Sequence, residues 1–129
     1  MTSARYAWLV VRACYELMRY DLVHALTERG RLCLPPVQAA LPGRQPHAET
    51  ERAICDAVVL ATCLYWKPVL CLQRSICAAR LLRAHGIDAR LVVGYRAVPF
   101  FSHAWVEVDG RVVNDSPVYQ QRLHILHTA

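Results

Sequence analysis

The sequence predicts an α+β fold, helices first and an antiparallel sheet last, and three observations carry that reading. Apolar residues recur at helical spacing in two stretches of the first half. A third helical stretch opens just after Pro68 and closes before Gly86. From about residue 88 to 126 the pattern changes to alternating strands around Asp109-Gly110. At 129 residues the chain is sized for one domain, 1–129, burying roughly two thirds of the surface its unfolded form exposes. Residues 1–66 read as a helical layer, and 67–129 as a further helix and the sheet.

In the first helix Ala7, Val10, Val11, Cys14, Leu17, Met18, Leu22, Ala25 and Leu26 recur at helical spacing, punctuated by Arg5, Arg12, Glu16 and Arg19. This stripe is expected to pack in the core, with Gly30 ending the helix. Its longest uncharged run falls far short of the roughly 20 residues a membrane span needs. Pro35, Pro36, Pro42, Gly43 and Pro46 predict an irregular connector over 35–47. A second helix follows from about 49 to 64, with Ile54, Val58, Ala61 and Leu64 on one face. The third, about 70 to 84, has Pro near its entry and Gly just past its end.

Hydrophobic residues make up 55% of the chain and charged residues 19%, and the mean hydropathy is +0.19, so an apolar surface patch is expected. The net charge of +5 comes from Arg residues spread along the chain. No nucleic-acid-binding signature accompanies it, so a basic protein that attracts an acidic peptide or partner is the simpler reading. Cys14, Cys33, Cys55, Cys63, Cys71 and Cys77 form no CxxC pair, and the N-terminus lacks a secretory signal because Arg12 interrupts its apolar run. A cytoplasmic protein with mostly buried thiols, no metal and no cofactor is expected.

The chemistry-bearing residues are Cys71, His103 and Asp115. Cys71 falls in the first turn of the third helix, where unpaired N–H groups and the helix dipole favour a thiolate and offer donors to an oxyanion. A two-residue Asp109-Gly110 turn would set Val108 against Arg111 and put His103 and Asp115 on opposite faces of the hairpin. A three-residue Val108-Asp109-Gly110 loop would instead match Glu107 with Arg111, Trp105 with Val113 and His103 with Asp115. The second register is preferred, because it makes an ion pair, an apolar pair and an imidazole-carboxylate pair on one face. Asp115 then holds the ring in the tautomer that leaves the other nitrogen free for a thiol proton.

Four further residues are candidates for contacting a substrate. Trp66 precedes the thiol and would line the cleft or pack. Arg74, three residues on from Cys71, would favour the thiolate or anchor the hairpin. Tyr95 and Phe101, with Arg96 and Phe100, flank the approach to His103.

The segments Cys-Leu-x-Arg-Ser, Gly-Ile-Asp-Ala-Arg-Leu-Val-Val-Gly-Tyr-Arg, Pro-Phe-x-x-His-Ala-Trp-Val-Glu-Val-Asp-Gly and Val-Val-Asn-Asp, between Cys71 and Asp115, resemble the lasso peptide biosynthesis B2 proteins, leader peptidases of the transglutaminase-like superfamily. The resemblance implies a transglutaminase-like (papain-like) cysteine peptidase fold, with Cys71 as nucleophile, His103 as base and Asp115 as the orienting acid. It also implies a ribosomally made precursor as substrate, a separate leader-binding protein and an ATP-dependent cyclase as partners. Chain order agrees: 32 residues separate Cys71 from His103, whereas papain-like enzymes place their His more than a hundred residues after the Cys. An acyl transferase using the same three groups, and a catalytically silent peptide-binding module, are the alternative expectations.

Overall fold

The computed structural model describes residues 3–26 and 48–128; the expected helix end at Gly30 and the connector expected over 35–47 lie outside the described residues. Three helices come first, α1 (Ser3–Leu26), α2 (Ala48–Leu64) and α3 (Cys71–Ala84). They are followed by β1 (Ala89–Arg96), β2 (Phe101–Val108), β3 (Arg111–Val112), a short helix α4 (Val118–Arg122) and β4 (His124–Thr128). The strands form one antiparallel sheet in the order β3-β2-β1-β4. The α+β reading and the bounds of α2 and α3 agree with expectation; α4 was not foreseen.

Helix α3 is central. Its buried residues Cys77, Ala78, Ala79, Leu81 and Leu82 share one cluster with Leu9, Ala13 and Leu17 of α1, Ile54, Ala57, Val58 and Ala61 of α2, and Ala89, Val106 and Val108 of the sheet. The expected α1 stripe is corrected. Of its members Leu17 alone is fully buried, with Val10 and Cys14 half-buried, while Val11, Met18, Leu22 and Leu26 are exposed. The apolar residues of α1 cover more than one face, so hydrophobicity did not choose between them. Specific polar contacts mark the inward face: buried Glu16 accepts a hydrogen bond from Arg80 Nε of α3 at 2.7 Å, and the Cys77 thiol donates to the Ala13 carbonyl at 3.4 Å. Leu64, expected on the buried face of α2, is 66% exposed. Among the described residues no helix is long and apolar enough to cross a membrane.

The hairpin register also departs from expectation. Val108 pairs with Arg111 and Glu107 with Val112, so the turn has two residues, Asp109 at φ 52° and Gly110 at φ 76°, the paired left-handed conformation that Asp-Gly favours. The expected Glu107–Arg111 pair does not form. Arg111 instead donates to both carboxylate oxygens of Glu51 on α2, at 3.3 and 3.2 Å. Glu107 accepts from Trp105 Nε1 at 3.2 Å and from Gln120 Nε2 of α4 at 2.5 Å.

On the sheet face away from α3, Trp105 is buried with Val92 and Leu123. Its indole lies against Gly94: a Cβ there would sit 2.7 Å from the ring, so this position requires glycine.

Candidate active site

Cys71 is the first residue of α3. The N-cap residue is Leu70, which is extended (φ −82°, ψ 166°) and supplies no side-chain cap. A leucine at this position leaves the first-turn amides without the side-chain acceptor that Ser, Thr, Asp or Asn would provide. Those N–H groups therefore remain available beside the half-buried thiol, which packs with Leu72 and Tyr20 against Ile76, Leu91 and Ala104.

His103 and Asp115 do meet, though by a route other than a continuous ladder. The Val113 amide bonds the Val106 carbonyl at 3.0 Å. The Val106 amide, however, donates to Asn114 Oδ1 at 2.8 Å, so the side chain of Asn114 takes the place of a main-chain acceptor and the backbone leaves the sheet. That departure swings Asp115 to His103, whose Nε2 donates to Asp115 Oδ2 at 2.6 Å. An ionised carboxylate only accepts, so Nε2 carries the proton and the neutral ring keeps its lone pair on Nδ1. The His103 and Asp115 side chains are only 12% and 18% exposed.

Helix α3 grips this turn at two consecutive residues. Arg74 Nη2 donates to the same Asp115 Oδ2 at 2.8 Å. Buried Ser75 donates to the Ala104 carbonyl at 3.1 Å and accepts from Asn114 Nδ2 at 3.1 Å. Because β3 stops at Val112, Ala104 has no strand on that side, and the serine satisfies its carbonyl. The thiol at the start of α3 and the imidazole on β2 are thereby set on elements locked together by side chains three and four residues beyond Cys71. Among the described residues the Cys71 sulfur has no hydrogen bond of its own.

The substrate-contact candidates fare differently. Arg74 pairs with Asp115 through Nη2, the hairpin-anchor role of its two expected ones. Trp66 is 79% exposed, with the Tyr65 ring centroid 6.0 Å and Lys67 Nζ 5.8 Å from its own. Tyr95 lies against His124, ring centroids 5.8 Å apart. Phe101 stacks on His103 at 6.0 Å. Three residues went unforeseen: Ser75, Asn114 and Tyr119, the last with its ring 4.1 Å from that of His103. Asn114, following Val112-Val113 and preceding Asp115, is the type that ends a ladder by mimicking backbone, and Ser116-Pro117 is a helix-start pair that points to α4.

A second polar group ties α1 to the segment leading into α3. Asp21 of α1 accepts from Tyr65 and pairs with Lys67 at 2.6 Å, while Gln73 Nε2 donates to the Leu17 carbonyl at 3.0 Å. Burial opposes ionisation of Asp21, but hydrogen bonds from Lys67, Tyr65 and Gln73 outweigh it and hold the carboxyl below its usual range. Burial pushes the Cys55 thiol up to about 12 and that of Cys77 higher still, so both remain protonated and unreactive at neutral pH.

A sequence profile of the transglutaminase-like superfamily matches residues 17–128, a span that includes α3, the whole sheet and the cluster around Cys71, His103 and Asp115. The chain belongs to the transglutaminase-like superfamily. A curated relative within reach of it is the Microcin J25-processing protein McjB of Escherichia coli, 46% identical over 56 residues. The matched stretch covers 43% of this chain and 27% of that relative, so this chain aligns with about a quarter of the relative's length. No solved structure gives a significant match.

Proposed function

We propose that this protein is a cysteine peptidase that removes the leader from a ribosomally made lasso peptide precursor. The observation that carries the reading is the His103–Asp115–Arg74 arrangement joined to the helix that begins at Cys71. Likeness to a relative named as a processing protein supports the substrate class.

His103 Nδ1 takes the Cys71 proton, and the thiolate attacks the carbonyl of the leader-core bond. The uncapped first-turn amides of α3 stabilise the oxyanion. His103, now doubly protonated and held by Asp115, returns a proton to the departing amine of the core. Water activated by the same ring then hydrolyses the thioester and frees the leader. The superfamily's name keeps acyl transfer to an amine as the second reading, since the same groups serve if an amine replaces water.

A separate leader-binding protein and a cyclase complete the proposed cytoplasmic machinery. The exposed α1 residues Val11, Met18 and Leu22, 66%, 61% and 60% accessible, are the proposed place for the leader-binding protein to dock. Incubating the protein with a precursor peptide, with and without a primary amine, and weighing the products tests the reaction. Free leader acid supports hydrolysis; leader amide would favour transfer, and no product with the leader-binding protein also present would overturn both.

A further inference from the structure

Helix α4 holds an aromatic side chain against the proposed base. Tyr119 and His103 have ring centroids 4.1 Å apart and planes tilted by 36°. Phe101 adds a further ring, 6.0 Å from His103 and 6.1 Å from Tyr119. The imidazole also stacks on Trp105, ring centroids 6.4 Å apart, and meets Asp115 at Nε2 with Arg74 behind the carboxylate; Tyr119 is the nearest of the rings around it. One hydrogen bond at one ring atom fixes a pivot but does not by itself fix the plane of the ring. A face contact at 4.1 Å does.

Tyr119 is itself secured. The amide of Leu123, one helical turn on, donates to its carbonyl at 3.1 Å. Its ring packs with Val112 against Val92, Trp105 and Leu123. Gln120 Nε2, the next residue, ties α4 to Glu107 Oε1 at 2.5 Å and to the Gly110 carbonyl at 2.9 Å. Five residues of helix would be mobile alone; these contacts make α4 a rigid backing for the imidazole.

We propose that Tyr119 is a positioning residue: its ring holds His103 in the single orientation that keeps Nε2 on Asp115 and leaves Nδ1 unprotonated as the base. The proposal rests on the peptidase reading for its purpose but on the ring geometry for its content. The hydroxyl is not required, so phenylalanine should serve as well as tyrosine, whereas leucine keeps the apolar packing of α4 and loses the flat face.

The test uses iodoacetamide, which reports thiolate formation without any peptide substrate, together with 15N NMR of the His103 ring. Wild type and Tyr119→Phe should alkylate Cys71 at rates within about twofold of each other and show one tautomer, protonated at Nε2. Tyr119→Leu should slow alkylation at least about fivefold and show averaged nitrogen shifts. Leu123→Ala, which loosens the same packing without touching His103, should lower the melting temperature yet keep the wild-type rate and tautomer. A folded Tyr119→Leu protein with wild-type rate and tautomer overturns the proposal, as does Tyr119→Phe behaving like leucine. If Cys71 of the wild type alkylates no faster than exposed Cys63, the nucleophile reading fails instead, and the NMR comparison still decides the role of the tyrosine.

Discussion

A single oxygen, Asp115 Oδ2, accepts from both His103 Nε2 and Arg74 Nη2, while Oδ1 takes the Ser116 amide at 2.8 Å. Replacing the carboxylate by an amide removes the charge that stabilises an imidazolium and offers a donor where two donors already point. Asp115→Asn is therefore expected to lower kcat by at least about a hundredfold, as loss of the orienting acid does in related triads, with its circular dichroism unchanged; kcat within a few-fold of wild type would deny Asp115 that role. Asp21 yields a prediction of a different kind. Its folded carboxyl titrates below the unfolded value of 3.8, so its contribution to stability is present above about pH 4 and is lost as pH falls through the depressed folded value. Melting temperature followed from pH 6 to 2.5 should decline in wild type and decline less steeply in Asp21→Asn; parallel curves would mean the Lys67–Tyr65 contacts carry no net free energy.

At the level of elements, the joint between α3 and the hairpin depends on Ser75 and Asn114, both buried or half-buried and both satisfying groups that the short β3 leaves without a strand partner. Ser75→Ala orphans the Ala104 carbonyl and one amide hydrogen of Asn114, a loss of about 1–3 kcal/mol, measurable by urea denaturation; a change below about 0.5 kcal/mol would show that the joint is held elsewhere. Much of this region could be read beforehand. The α3 bounds followed from Pro68, the Leu-rich spacing and Gly86, and Asp109-Gly110 marked the turn. The register did not follow, because both loop lengths place Gly110 at positive φ, and the choice lies in Asp109 also entering the left-handed region, which a short polar side chain tolerates. Cross-strand logic points Arg111 to Glu107, whereas its partner Glu51 lies 60 residues away in sequence. His103 and Asp115 meet by a route the ladder does not supply: the register leaves them unmatched, and the Asn114 side chain brings them together by ending the strand.

For the whole molecule, the helical half meets the sheet through α3 and leaves a row of apolar side chains on α1 facing outward, including Trp8, Val11, Tyr15, Met18 and Leu22. Composition signalled an apolar surface, but not which residues would form it, because an α1 helix apolar on several sides gives no unique buried face. If the proposed leader-binding protein docks there, adding it should raise precursor cleavage at least about tenfold, worth roughly 1.4 kcal/mol, and Met18→Glu should abolish that stimulation while preserving the unstimulated rate. Full-speed cleavage by the protein alone would remove the need for delivery.

The rate of precursor cleavage by Cys71→Ala beside Cys77→Ala, with the leader-binding protein present, tests the central claim most directly. Cys77 lies buried in the same helix, its thiol bonded to the Ala13 carbonyl and held protonated, so its loss should leave cleavage intact even if stability falls. Cys71→Ala should retain the fold and bind precursor with no detectable product. Cleavage by a folded Cys71→Ala protein at a rate comparable to wild type would contradict the assignment of the thiol at the start of α3 as the nucleophile.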